Sequence, residues 1–172
     1  VCIFGAGSIG LMIYLLARAA GATPIILVDV ALSRLEFAVQ QLGANIENVV
    51  HVDANQSMAE ASTKVLQAFK GIKPDVAFEC TGYSMPIHTC LGVLEAGGCL
   101  VQVGIGAPVN ELSFSELLHR QVDLRFVMRS NSCFEDCIRL VENGVVDPSL
   151  LITHVFPIQV RIHNPIDVNI RC

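Results

Sequence analysis

The sequence predicts an α/β fold, a doubly wound parallel sheet with helices covering both faces in three αβα layers. Three observations carry that prediction. Six short apolar segments alternate with helical patterns between Val1 and Gly144, as expected of parallel strands joined by crossover helices. Hydrophobic residues make up 52% of the chain and charged residues 16%, enough apolar surface to bury central strands on both sides. The first unit also has a distinctive order: an apolar strand, a glycine-rich turn, a helix, and a second strand closed by Asp29.

Each element follows from its residues. Val1-Cys2-Ile3-Phe4 is the first strand, and the helix from Ser8 to Ala20 follows the turn Gly5-Ala6-Gly7-Ser8-Ile9-Gly10. Ile25-Ile26-Leu27-Val28 is the second strand, ending at Asp29. Ser33 to Leu42 reads as a helix, with Leu35, Ala38, Val39 and Leu42 at helical spacing and Gly43 as its stop. Val49 to Val52 forms strand three, Met58 to Phe69 the next helix, and Asp75 to Glu79 strand four. Pro86 to Glu95 is a helix stopped by Gly97-Gly98, and Cys99 to Val103 is strand five. A short helix from Ser115 to Arg120 leads to strand six, Asp123 to Met128, and then a helix from Phe134 to Glu142 capped by Asn143-Gly144. Right-handed crossovers arrange the strands in the order 3-2-1-4-5-6.

The opening unit carries chemistry. Gly5 permits a sharp turn out of the strand, at backbone angles a side chain would forbid. Gly7 leaves room for a pyrophosphate to approach the backbone, and Gly10 lets the helix lie close to the sheet. The free N–H groups and dipole at that helix start favour an anion. Asp29, nineteen residues beyond Gly10, is placed to accept hydrogen bonds from the adenosine ribose hydroxyls. Its carboxylate repels a 2′-phosphate, so the predicted cofactor is NAD rather than NADP. In a Rossmann sheet of this kind, ligands sit beyond the carboxyl ends of the strands, where the strand order reverses. That rule adds the end of strand four at Glu79-Cys80-Thr81-Gly82, from which Thr81 joins the candidate cofactor-binding residues. It also adds Val103-Gly104-Ile105 after strand five and Met128-Arg129-Ser130 after strand six.

Composition excludes several classes. With 11 basic and 16 acidic residues, a net charge of −5 and no basic patch, nucleic acid is not an expected partner. No apolar run is long enough to span a membrane, and the N-terminus carries no signal-peptide pattern. The chain starts without methionine, inside a strand, which suggests a fragment or an excised domain. Seven cysteines at irregular spacings, without a CxxC pair, read mainly as structural thiols in a reducing, cytoplasmic setting. Cys133 and Cys137, one helical turn apart, are compatible with two metal ligands or with ordinary packing. His51, His88, His119, His154 and His163 are dispersed and build no metal site. No GxSxG nucleophile elbow is present.

Taken together, these segments resemble the coenzyme-binding domain of zinc-containing medium-chain dehydrogenases, especially sorbitol and polyol dehydrogenases. The resemblance rests on Gly5 to Gly10, Ile26-Leu27-Val28-Asp29, Ser33-Arg34-Leu35, Glu79-Cys80-Thr81-Gly82, Gly97-Gly98, Leu100 to Gly104, and Leu151 to Pro157. It runs from Val1 to about Ile158. It implies that Ile9, Asp29 and Arg34 contact the adenosine and phosphate half of NAD. It implies that Val103, Gly104, Ile105, Val127, Met128 and Arg129 surround the nicotinamide end. In the family the arginine matching Arg129 also helps hold the polyol and is followed by tyrosine, where this chain has Ser130. The family's catalytic zinc, its ligands and its proton relay belong to an N-terminal domain, so this chain is expected to bind no metal and to contain no catalytic residue. Residues 159–172 depart from the family, with Pro165 where relatives continue a helix and Asp167 to Arg171 as a short closing strand.

The expected function is therefore the NAD-binding domain, residues 1–158, of a dehydrogenase that oxidises a polyol's secondary alcohol by hydride transfer to NAD. Alone, the chain is expected to bind NAD without turnover, and to form dimers or tetramers by pairing edge strands, at Asp123 to Met128 or its neighbour. Two other classes stand beside it: a non-catalytic NAD-binding module or truncated product, and an S-adenosylmethionine-dependent transferase.

Overall fold

A computed structural model describes residues 1–107 and 111–156. Pro157 and Ile158, the departure over 159–172 with its closing strand, His163 and Cys172 lie outside the described residues.

Six strands form one parallel sheet: β1 (Cys2–Phe4), β2 (Ile26–Asp29), β3 (Val49–His51), β4 (Val76–Glu79), β5 (Cys99–Gln102) and β6 (Asp123–Phe126). Their spatial order is β3-β2-β1-β4-β5-β6, so the strand order reverses between β1 and β4. Pairing is parallel throughout, with Cys2 opposite both Ile26 and Ala77, and Glu79 opposite Gln102. The connecting helices are α1 (Ser8–Ala19), α2 (Leu32–Leu42), α3 (Met58–Ala68), α4 (Ser84–Val93) and α5 (Phe114–Arg120), with α6 (Phe134–Glu142) after β6.

Alternation along the strands sends side chains into two cores. Cys2 and Phe4 of β1, with Ile26 and Val28 of β2, pack with α3 and α4 through Ala61, Val65, Cys90 and Leu94. Ile3 and Leu27 face the other way, onto Leu11, Tyr14 and Leu15 of α1 and Leu35 and Ala38 of α2. Burial on both faces is why these strands are apolar along their whole length.

The helix signals are visible locally. Gly43 ends α2 in the left-handed region at φ +68°. Ser57 accepts from Glu60 N while the Glu60 side chain accepts from Ser57 N, a reciprocal cap that starts α3. Helix α4 begins at Ser84, ahead of the expected Pro86, because proline is tolerated in a first turn, where its missing N–H has no intrahelical partner. Two short 3-10 turns, Ile46–Asn48 and Pro148–Leu151, were not expected. Val146 and Leu151, on either side of the second turn's start, close the α1–α2 core from the C-terminal side.

Candidate functional site

The glycine turn is built as its spacing requires. Gly5 sits at φ +100°, and an added Cβ there would lie 3.0 Å from the Thr81 Cγ2 methyl. At Gly10 an added Cβ would fall 1.7 Å from Gly5 O, so α1 can approach the turn this closely only because Gly10 has no side chain. Gly7 differs: a Cβ there would meet nothing within 4 Å, so its outer side is open space. Gly7 is also the N-cap of α1, which has no side-chain cap among the described residues and no acidic residue in its first turn. An uncapped helix start facing open space suits an anion.

Asp29 ends β2 buried, and both of its carboxylate oxygens are engaged. Oδ2 accepts from Ala6 N at 2.6 Å and Oδ1 from Ala31 N at 2.7 Å. Arg34 Nη1 lies 3.6 Å from Oδ2, a half-exposed guanidinium against a buried carboxylate. Asp29 thus ties the glycine turn to the start of α2. Sequence spacing alone did not reveal that structural role.

Of the predicted site residues, Gly5, Gly7, Asp29, Arg34 and Thr81 line one cleft of about 260 Å³, together with Val30, Val52, Cys80 and Tyr83. Ser8, Ile9, Val103 and Val127 line a second, open hollow of about 420 Å³, floored by Met12, Ile13, Phe78 and Val101. Gly104 borders a third cavity beside Gly82 and Gln102. Gly10 sits behind the turn and lines neither the cleft nor the hollow. Ile105, Met128 and Arg129 are exposed beyond the ends of β5 and β6, with Arg129 in the left-handed region at φ +54°. Of the set expected at the adenosine and phosphate half, Asp29 and Arg34 share the cleft while Ile9 lies in the hollow beside Val103 and Val127, and the set expected at the nicotinamide end is only partly gathered.

Two features went unpredicted. The loops after β4 and β5 interlock through glycine: a Cβ on Gly82 would lie 2.5 Å from Ile105 O, and one on Gly106 1.6 Å from Gly82 O. Glu79, read from sequence only as the end of a strand, is fully buried and hydrogen-bonded to Gln102 across the ladder. A carboxylate closing an otherwise apolar strand, opposite a glutamine, was the available signal.

The thiols are electrostatically quiet. Burial pushes Cys2 up to about 12, and burial with the neighbouring Glu79 charge pushes Cys80 up to about 12. Burial likewise raises Cys90 well above its ordinary value. Neutral thiols are poor nucleophiles and poor metal ligands. Cys133 and Cys137 are exposed and free. Among the described residues no three His, Cys, Asp or Glu side chains converge as a metal site, so these residues do not fit a zinc ion. No described helix is long and apolar enough to cross a membrane.

Comparison with known proteins agrees with this architecture. The chain is 33% identical over 159 residues to L-arabinitol 4-dehydrogenase of Hypocrea jecorina, covering 92% of this chain and 42% of that protein. It is also 33% identical over 159 residues to sorbitol dehydrogenase of Bos taurus, with 92% and 43% covered. Among solved structures, L-idonate 5-dehydrogenase from Escherichia coli superposes with a TM-score of 0.69 at 31% identity, over 87% of this chain and 40% of that one. The chain therefore spans about two fifths of the length of these relatives. Residues 8–143 match the family described as zinc-binding dehydrogenase, and the chain belongs to that family.

Proposed function

We propose that this chain is the NAD-binding part of a polyol dehydrogenase, and that by itself it binds NAD without turning over alcohol. The observation that carries the proposal is the pairing of Gly7, whose outer side is open at the uncapped start of α1, with Asp29 in one cleft. In this reading the pyrophosphate rests against Gly7, Ser8 and Ile9, while Gly5 and Gly10 hold the turn in shape. Asp29 receives the ribose hydroxyls on lone pairs its backbone donors leave free, and Arg34 lies beside it. Thr81 and Val30 flank the adenosine. Val103, Gly104, Ile105, Val127, Met128 and Arg129 form the nicotinamide end. The chemistry that NAD supplies when bound is acceptance of hydride at nicotinamide C4; this chain's residues bind and orient it.

The family's zinc has no fitting donor set among the described residues. The polyol class comes from the arabinitol and sorbitol dehydrogenases to which the chain is similar. A cytoplasmic dimer or tetramer, pairing through β6, the edge strand among the described residues, with its exposed Phe126, completes the reading.

Titration calorimetry of the chain with NAD, NADP and S-adenosylmethionine tests the proposal. NAD alone should bind with measurable heat. Binding of S-adenosylmethionine without NAD would replace this reading with the transferase one.

A further inference from the structure

The buried carboxylate of Glu79 stands where the two halves of the proposed site meet. A buried charge is costly unless its lone pairs are met, and here they are met by donors from the loop after β4 and from the last residue of β5. Oε1 accepts from Thr81 N at 2.7 Å, from the Thr81 hydroxyl, and from Gly82 N at 3.1 Å. Oε2 accepts from Gly82 N at 2.9 Å and from Gln102 Nε2 at 2.7 Å. Thr81 Oγ1 in turn accepts from Tyr83 N at 3.1 Å, which leaves its own proton for Glu79. Gln102 Nε2 also donates to Gly104 O at 2.8 Å. The Glu79 carbonyl accepts from both Val103 N and Gly104 N at 2.8 Å.

One residue therefore holds two walls. Through Thr81 it fixes a wall of the cleft that contains Asp29. Through Gln102 and its own carbonyl it fixes the segment that sends Val103 into the apolar hollow. Past the end of the β4–β5 ladder, the Glu79 side chain, its carbonyl and the glycine interlock hold the two loops together among the described residues.

We infer that Glu79 is a positioning residue that sets the distance between the adenosine and nicotinamide subsites, so that the linked dinucleotide binds better than its separate halves predict. The inference rests on the NAD reading. Its physical basis is effective concentration: two joined ligand halves gain affinity only while the subsites keep the span of the linker. Replacing Glu79 with Gln puts an NH₂ group against a backbone N–H on whichever side it falls, Thr81 N or Gly82 N, and neither can accept. One side of the bridge must then open, while Thr81 and Val103 keep their own contact groups.

The test uses the full 172-residue chain, with NADH, AMP and reduced nicotinamide mononucleotide as probes, at a temperature where circular dichroism shows the variant folded. Glu79→Gln should raise the Kd for NADH by about tenfold or more, with AMP and the mononucleotide each changing by less than about twofold. Gln102→Leu, which cuts only the arm to β5, should give the same split at smaller amplitude, and it decides the matter if Glu79→Gln does not fold. Unchanged NADH affinity in a folded variant would mean a merely structural role and overturn the inference. So would an AMP affinity that falls by the same factor as NADH, since Glu79 would then serve one subsite alone. Failure of the unaltered chain to bind NADH would instead overturn the NAD reading, and this inference with it.

Discussion

Gly7 and Gly10 stand three residues apart in one turn, yet alanine should act on them through different physics. At Gly10 the new Cβ would lie 1.7 Å from Gly5 O, and α1 would have to retreat by about 1.3 Å to bring that contact even to 3.0 Å. The helix buries Leu11, Tyr14 and Leu15 against the sheet. A gap of that size forfeits about half of the contact energy of such side chains, each worth about 2 kcal/mol when buried. The loss is therefore about 3 kcal/mol, offset by about 1 kcal/mol from alanine's better helix propensity. Gly10→Ala should destabilise the fold by about 2 kcal/mol in urea unfolding. Gly7 has φ −77° and ψ −176°, which any residue adopts, and its Cβ position is open. Gly7→Ala should thus leave stability unchanged or raise it by about 0.5 kcal/mol through the unfolded chain, while weakening NAD binding by about tenfold or more in calorimetry. Parental stability in Gly10→Ala would refute the packing argument. Unchanged NAD affinity in Gly7→Ala would remove the pyrophosphate from its proposed place.

Three further outcomes can be measured. Asp29→Ser should lower the NAD-over-NADP affinity ratio by about tenfold by removing the carboxylate's repulsion of a 2′-phosphate. It should also cost about 1–3 kcal/mol because Ala6 N and Ala31 N lose their acceptors; an unchanged ratio would sink the role given to Asp29. Arg120 donates to Leu91 O at 2.7 Å and to Leu94 O at the end of α4, so Arg120→Met should destabilise by about 2 kcal/mol, whereas Glu116→Ala, which removes only its surface ion partner at 3.2 Å, should cost less than about 0.5 kcal/mol. The raised thiols of Cys2, Cys80 and Cys90 set an alkaline limit. Above their ordinary value of 9.0 the unfolded chain loses protons that the folded chain keeps, so stability falls from about pH 9 towards about 12. The loss at pH 10 is about 1 kcal/mol per thiol, Cys90→Ala should make the decline shallower, and a flat profile between pH 8 and about 10 would contradict the burial argument.

What the sequence disclosed follows from how this fold is made. Strands buried on both faces must be apolar throughout, so β1 and β2 stand out as runs. Their order needs only the handedness of the crossovers. The glycine turn was legible because each glycine answers a separate steric demand, and the close approaches of the Thr81 methyl to Gly5 and of Gly5 O to Gly10 meet those demands in the structure. The weaker readings lie where partners distant in sequence decide the outcome. Helix α6 has a clear apolar stripe in Phe134, Ile138 and Val141, yet all three are exposed. Periodicity tells which face seeks burial and cannot tell what covers it. The close approach of Gly82 to Ile105 and Gly106 is equally invisible in a linear chain, since it depends on two loops meeting beyond adjacent strand ends.

The two acids that close β2 and β4 sharpen the distinction between a residue that meets a ligand and one that shapes its site. Asp29 and Glu79 are both buried at the carboxyl end of the sheet, and both accept from backbone N–H groups two residues further along, at Ala31 and Thr81. Sequence position treats them alike. Their surroundings do not: Asp29 lines the cleft with Arg34 beside it, whereas Glu79 has no exposed surface and spends its lone pairs on Thr81, Gly82 and Gln102. A charge at a strand end is therefore not by itself a mark of ligand contact. Access to the cleft separates the two proposed roles, which is why substitution of Asp29 should change which cofactor binds, and substitution of Glu79 should change how well its two halves bind together.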